Sequence, residues 1–295
     1  MYHYIKLNDP NGNIEEFYQY YYETKLDQCE YHNFNLEKSK SDLEIYITNY
    51  NNPLCIEYQI KTLDTFLKDV NYKVVVCDTA GDQHPNASEK SKKLCLDKGW
   101  GYIKLPYNIY DEKEYYNPSM KLGVSMNWVY RNCITHTKPF YFGFLDQDCF
   151  LIDDIWTPRL KPFLDKNGMY GIVSENVDHP EGWNLHVIYC FYRYNFVSHL
   201  DLDFRPYMDK YLDTGGCNYE ILYKAYSRET FRQNQRGQFY FSDKDWFWAW
   251  HDDDYWLHTM HSSANVVDQS QSDVRTIYMC GLLEGILHSE KKSRQ

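Results

Sequence analysis

No stretch of this 295-residue chain approaches the roughly 18 consecutive apolar residues that a bilayer span needs. Its opening, MYHYIKLNDPNG, has no apolar core of the kind that marks a secretion signal. An excess of basic charge is also missing. Lys and Arg number 31 against 42 Asp and Glu, a formal net charge of −11, which excludes the phosphate-tracking surface of a nucleic-acid polymer binder. A single nucleotide is not excluded, because one metal ion neutralises its phosphates. The nine Cys contain no CxxC pair, and Cys77, Cys149 and Cys190 sit inside apolar runs, as buried thiols in a reducing compartment do. A Gly-x-Ser-x-Gly nucleophile elbow is absent, as is a Gly-rich phosphate loop in residues 1–60. No internal repeat or low-complexity linker divides the chain. These absences lead us to expect a soluble, cytoplasmic protein without a transmembrane segment, in the host cytoplasm or on the virion if the source is viral.

Aromatic residues are abundant instead: they make up 18% of the chain, and Tyr alone supplies 30 residues. AT-rich codon usage accounts for much of this, as in a large DNA virus, a parasite or a low-GC bacterium. A carbohydrate-contacting surface is the functional alternative, since such rings pair an apolar face with a polar tip. Residues 1–42 are polar and Tyr-rich with weak periodicity, and read as an N-terminal extension. From residue 43 the pattern sharpens. LEIYITNY is a strand, CIEYQIKTLDTFLKD repeats apolar residues at helical intervals, and YKVVVCD is an apolar run of the kind buried on both faces. SEKSKKLCLDKG is a helix ending at Gly99, and GYIKLP is a further strand. Strand, helix, strand, helix, strand over 43–106 predicts an α/β fold with a parallel sheet, whose ligands bind beyond the carboxyl ends of the strands. Thr48–Asn52 and Asp78–Asp82 are the candidate ligand loops. The principal domain is expected over 43–267, with 268–295 as a tail.

The most informative segment is FYFGFLDQDCFLI, in which an apolar run meets Asp146, Gln147 and Asp148 and turns apolar again. Two carboxylates at i and i+2 beside a buried strand repel one another unless a cation lies between them. Mn²⁺ or Mg²⁺ suits such oxygen ligands and keeps positions open for phosphate. A surface turn with two solvated acids is the alternative. Asp153 and Asp154 are expected to cap the next helix instead.

The order of elements over residues 43–265 resembles the GT-A fold of nucleotide-sugar glycosyltransferases, a mixed, mostly parallel sheet flanked by helices with an Asp-x-Asp block after a central strand. The resemblance implies a metal-dependent transfer of a sugar from a nucleotide-sugar donor, a UDP-sugar by preference, to a glycan or glycoprotein acceptor. It implies donor contacts at Thr48 and Asn49 in the first strand's loop, at Asp78 ending the second strand, at Gly123 and Asn127 in the helix before the acidic block, and at Asp146 and Gln147. Asp146 and Asp148 would hold the ion together with a late His. His261, beside Ser262 and Ser263, is slightly favoured over His258. Tyr-Leu-Asp-Thr-Gly-Gly adds Asp213 as candidate base and Gly215 as a close backbone approach to the ligand, with a plain turn as the alternative. Trp183, Trp246, Trp248, Trp250 and Trp256 are candidates either for sugar stacking or for the core. The sequence lacks the Glu-Asp dyad of many inverting members and the His-Gly-Lys-Pro-Trp block of one retaining family, so stereochemistry stays open. Two rival readings are a sugar nucleotidyltransferase, and a noncatalytic glycan-binding protein on a transferase fold.

Overall fold

The computed structural model describes residues 13–80, 84–112, 115–176, 178–231, 235–240, 248–252, 255–259 and 269–293. Its centre is a seven-stranded sheet in the order β1-β4-β3-β2-β5-β8-β7. β1 is Tyr31–His32, β2 Leu43–Asn49, β3 Tyr72–Asp78, β4 Gly101–Lys104 and β5 Tyr141–Asp146; β7 is Met169–Asn176 and β8 His179–Arg193. β4, β3, β2 and β5 run parallel, and β8 lies antiparallel to both β5 and β7. A second, antiparallel sheet is ordered β6-β11-β10-β9, with β6 at Cys149–Leu151, β9 at Gln235–Tyr240, β10 at Trp248–Asp252 and β11 at Trp256–Thr259. The mixed, mostly parallel sheet flanked by helices is the expected fold class.

Both faces of the central sheet are covered, which is why the middles of its parallel strands are predominantly apolar. Alternate residues serve different layers. Tyr46, Val75, Cys77, Phe142 and Phe144 face α1 (Asn13–Glu23) and α4 (Pro118–Val129), through Phe17, Tyr21, Val124 and Trp128. Ile45, Ile47, Val74, Val76 and Leu145 face α2 (Pro53–Phe66), α3 (Pro85–Lys98) and α6 (Lys161–Asn167), through Ile56, Leu63, Cys95 and Leu164. Short helices α5 (Thr135–Thr137) and α7 (Tyr194–Val197) complete the connections. Asn52 and Asn117 cap α2 and α4 with their side chains, each followed by a Pro in the first helical turn. Gly99 closes α3 in the left-handed region, φ 78°, where the sequence placed that stop.

The segment expected as an extension contributes to the core, since Phe17, Tyr18 and Tyr21 are buried against the sheet layer. The expected tail carries α8 (Gln269–Ser293), whose Met279 and Leu283 pack on Cys55 and Tyr58 of α2. Among the described residues no helix is long and apolar enough to cross a membrane, and no disulfide joins the cysteines.

Candidate active site

Three adjacent parallel strands end together. In the register of the sheet Thr48 lies beside Asp146, and Asn49 beside Asp78. Past Asp146 the chain turns through Gln147 and Asp148 into β6, and the turn is held from three sides. Gln59 of α2 donates through Nε2 to the carbonyls of Asp146 at 2.8 Å and Cys149 at 3.1 Å. Gln147 Oε1 accepts the Tyr50 N–H at 2.6 Å. The Asp148 carbonyl accepts the Thr259 N–H at 2.9 Å, which ties the turn to β11. That strand pairing sets His258 opposite Cys149, so its Nε2 lies 3.3 Å from Asp148 Oδ1. Asp153 and Asp154 lie past β6, where Asp154 Oδ1 accepts the Trp156 N–H as an N-terminal cap does.

The electrostatics follow from that packing. Asp148 is 6% exposed. Burial, and then the nearby charge of Asp148, push the Asp146 carboxyl up to about 7, against the opposing pull of His258 and of the Gln147 N–H. Two acids so placed favour a cation beside them, and oxygen donors with one imidazole suit Mn²⁺ or Mg²⁺. Among the described residues no three His, Cys, Asp or Glu side chains close into a cage. An ion held here would therefore draw its remaining ligands from phosphate and water, as Mg²⁺-type sites commonly do.

A pocket opens over this turn, lined by Thr48, Tyr50, Thr79, Tyr116, Pro118, Lys121, Leu122, Asp146, Gln147 and Asp148. The Lys121 ammonium lies 3.7 Å from the centre of the Tyr50 ring, and the Tyr50 hydroxyl is 3.1 Å from His84 Nε2. The pocket thus joins two acids, one base and a clamped aromatic ring.

Of the residues singled out in the sequence, Thr48, Asp146, Gln147 and Asp148 line this pocket. Asn49 and Asp78 stand at the same strand ends but are turned inward. Asn49 Nδ2 donates to Ser91 Oγ at 3.2 Å, while the Asp78 carboxylate accepts from the Tyr102 hydroxyl at 2.7 Å and the Ala80 N–H at 2.9 Å. Gly123 and Asn127 do not line the pocket. A Cβ on Gly123 would come within 2.5 Å of the Phe204 carbonyl oxygen, so its smallness serves helix-to-backbone packing. Asn127 is fully buried; its Oδ1 accepts the Phe204 N–H at 2.7 Å and its Nδ2 donates to Asp203 Oδ1 at 2.8 Å. Gly215, φ 90°, closes a turn by donating to the Phe204 carbonyl at 2.6 Å and lies off the pocket. Asp213 is exposed, with Oδ1 accepting the Thr214 N–H at 2.7 Å. Trp183 and Trp256 are buried in the core. Trp248 and Trp250 belong to β10, whereas Trp246 and His261 lie outside the described residues.

The sequence reading placed Tyr50 within the loop Thr48–Asn52 without giving its side chain a role, and passed over Gln59, Lys121 and His186. Burial pulls the His186 imidazole down to about 4, a shift that His258 reinforces and the charges of Asp213 and Asp148 oppose. Nothing local marks these last three; a Gln in an amphipathic helix or a His in an apolar strand is ordinary until long-range pairing places it.

No family model matches the chain, and no curated protein matches it. Among solved structures it is similar to the mannosyltransferase PcManGT from Pyrobaculum calidifontis, in complex with GDP-Man and Mn²⁺, at 12% identity and a TM-score of 0.34 over 63% of this chain and 53% of that one. It is similar to the galactosyltransferase LgtC, in complex with donor and acceptor sugar analogues, at 12% identity and a TM-score of 0.31 over 51% and 57%. A third similar structure is the bifunctional glycosyltransferase WbbM, at 10% identity and a TM-score of 0.34 over 55% and 33%. The chain thus spans about half the length of the first two and a third of the last. All three are glycosyltransferases, the class of enzyme that the sequence resembles.

Proposed function

We propose that the chain is a metal-dependent glycosyltransferase of the hexosyltransferase type, moving a sugar from a nucleotide-sugar, a UDP-sugar by preference, to a hydroxyl of a glycan or protein acceptor. One observation carries the reading: Asp146 and Asp148, with His258 against Asp148, are sunk at the end of a parallel strand where a pocket opens. Thr48, Thr79 and the Tyr50 ring suit the nucleoside, and Lys121 suits phosphate charge. Asp146 and Asp148 would hold Mn²⁺ or Mg²⁺ together with phosphate and water, with His258 against Asp148 as the candidate further ligand, and the ion would supply Lewis-acid stabilisation of a departing diphosphate. Asp213 is the candidate base for an inverting reaction, in which a carboxylate takes the acceptor proton. The nine cysteines suit a reducing, cytoplasmic setting.

The test is a thermal-shift and donor-hydrolysis screen of UDP-, GDP- and dTDP-sugars with Mn²⁺ and with Mg²⁺. Metal-dependent stabilisation by at least one nucleotide-sugar, with its hydrolysis, supports the reading. Pyrophosphate release from a nucleoside triphosphate would select a nucleotidyltransferase instead. Stabilisation by oligosaccharides alone, without any nucleotide effect, would select a noncatalytic glycan-binding protein.

A further inference from the structure

Neither His186 nor Asp213 lines the pocket at Asp146 and Asp148, yet the turn after Asp213 packs on β8 at either side of His186: a Cβ on Gly215 would lie 3.4 Å from the Leu185 carbonyl oxygen and 3.6 Å from Val187 Cγ1. The backbone explains how a strand residue reaches this place. Between the pairs Gly171↔Cys190 and Val173↔Leu185, β7 advances two residues while β8 advances five. β8 therefore bulges just after Leu185, and bulges re-aim side chains. Its pairing with β5 extends to Leu145↔Tyr189, one residue short of Asp146, so the bulge opens where β5 delivers the acids.

The His186 ring is oriented from within the bulge. Its Nδ1 accepts the Ile188 N–H at 3.2 Å. An accepting Nδ1 bears no proton, so the ring proton resides on Nε2, which is left as a donor. Asp213 sits on a turn anchored to the same strand, where Asn184 Nδ2 donates to the Thr214 carbonyl at 2.9 Å, and to α4, where Thr214 Oγ1 donates to the Ser119 carbonyl at 3.1 Å. A fixed N–H donor and a fixed, exposed carboxylate thus stand along one stretch of β8, outside the cavity that suits the nucleotide.

We propose that His186 and Asp213 form the acceptor subsite, and that it takes a sugar rather than an isolated alcohol. A carboxylate receives the attacking hydroxyl, and a neutral N–H donor suits a second oxygen beside it. Adjacent oxygens of this kind are what a glycan ring presents, whereas a Ser or Thr hydroxyl would leave the imidazole unused. In the step, the acceptor oxygen bonds to the anomeric carbon and the bond from that carbon to phosphate oxygen breaks. The nucleoside diphosphate leaves with the electron pair, and the acceptor proton passes to Asp213. This assignment rests on the transferase reading above.

The experiment compares wild type with His186→Asn and His186→Gln. The first keeps an amide oxygen for the Ile188 N–H but loses the Nε2 donor; the second places an amide N–H near the Nε2 position. Donor binding and hydrolysis to water with Mn²⁺ are measured first, then transfer to methyl glycosides and to N-acetylserinamide. Wild type is expected to glycosylate a methyl glycoside and not the serinamide. His186→Asn is expected to raise the acceptor KM at least tenfold, with donor affinity and hydrolysis within twofold of wild type, and His186→Gln to recover part of the loss. Equal loss of donor binding, an unchanged acceptor KM, or equal use of the serinamide overturns the acceptor assignment. Wild type that neither binds nor hydrolyses any nucleotide-sugar overturns the transferase reading itself.

Discussion

Asn127→Ala separates the donor-contacting role that the sequence suggests for this residue from the one its surroundings define. The side chain bridges α4 to the segment at 203–205, accepting from Phe204 N–H and donating to Asp203. Truncation leaves the buried Phe204 N–H unpaired, at about 1–3 kcal/mol. It also removes a hydrogen bond to a carboxylate, worth about 1.5–3 kcal/mol, of which the lower end applies because Asp203 keeps its bidentate contact with Arg205. The sum is roughly 3–4 kcal/mol, which at about 2.1 cal/mol/K of unfolding entropy per residue lowers the melting temperature by about 5–6 °C in a chain of this size. Thermal unfolding read by circular dichroism, together with calorimetric titration of UDP and Mn²⁺ well below the transition, checks both sides. We expect the melting temperature to fall while nucleotide affinity stays within about twofold, a change of under 1 kcal/mol. An unchanged melting temperature with a large loss of nucleotide affinity would refute the reasoning and return Asn127 to the donor site.

Asp148→Asn removes one of two mutually repelling acids, so the metal-free protein should keep its stability while losing Mn²⁺-dependent stabilisation. At a hundredfold excess over the dissociation constant that stabilisation is about 2.7 kcal/mol, and its persistence in a thermal-shift series would count against the ion site. Gly123→Ala places a Cβ 2.5 Å from the Phe204 carbonyl oxygen and 2.7 Å from Arg205 Cα. Backbone cannot yield there as a side chain would, and denaturant unfolding should show a loss of about 2–3 kcal/mol. Trp256→Ala deletes a ring that is 1% exposed and stacked 4.8 Å from Tyr189. Chemical unfolding should report about 3–5 kcal/mol lost, whereas a sugar-stacking residue would leave stability unchanged. Burial works to raise the Asp203 carboxyl, but hydrogen bonds and charge from Arg205 prevail and hold it below its ordinary value. Its contribution is thus present above the unfolded value of about 3.9 and is lost as pH falls through the lower folded value. An Asp203→Asn variant should therefore show a shallower loss of stability than wild type on acidification below about pH 4.

The parts of the fold legible in sequence are those whose signal is local. β2, β3 and β5 are apolar runs because both sheet faces are covered, and the Asn-Pro starts of α2 and α4 cap the chain within four residues. The acidic turn was legible for the same reason, as charge interrupting an apolar run. Register is not local. Nothing near Cys149 says that it pairs with His258, more than a hundred residues away, so spacing alone did not separate His258 from His261. The β8 bulge that carries His186 exists only relative to β7 and β5. Asn127 and Gly123 show the converse: residue types suited to a ligand are equally suited to a tight junction with a loop at 203–205 that no local pattern announces.

The turn bearing Asp146 and Asp148 is gripped by Gln59, and α2, which carries Gln59, is backed on its outer side by α8 through Cys55, Tyr58, Met279 and Leu283. α8 is therefore a strut two layers behind Asp146 and Asp148, with α2 as the intervening beam. Whatever loosens that strut, whether a shortened C-terminal end or a bulky fusion levering on it, reaches the acids mechanically without touching the pocket, so the far end of the chain is the wrong place to attach a handle.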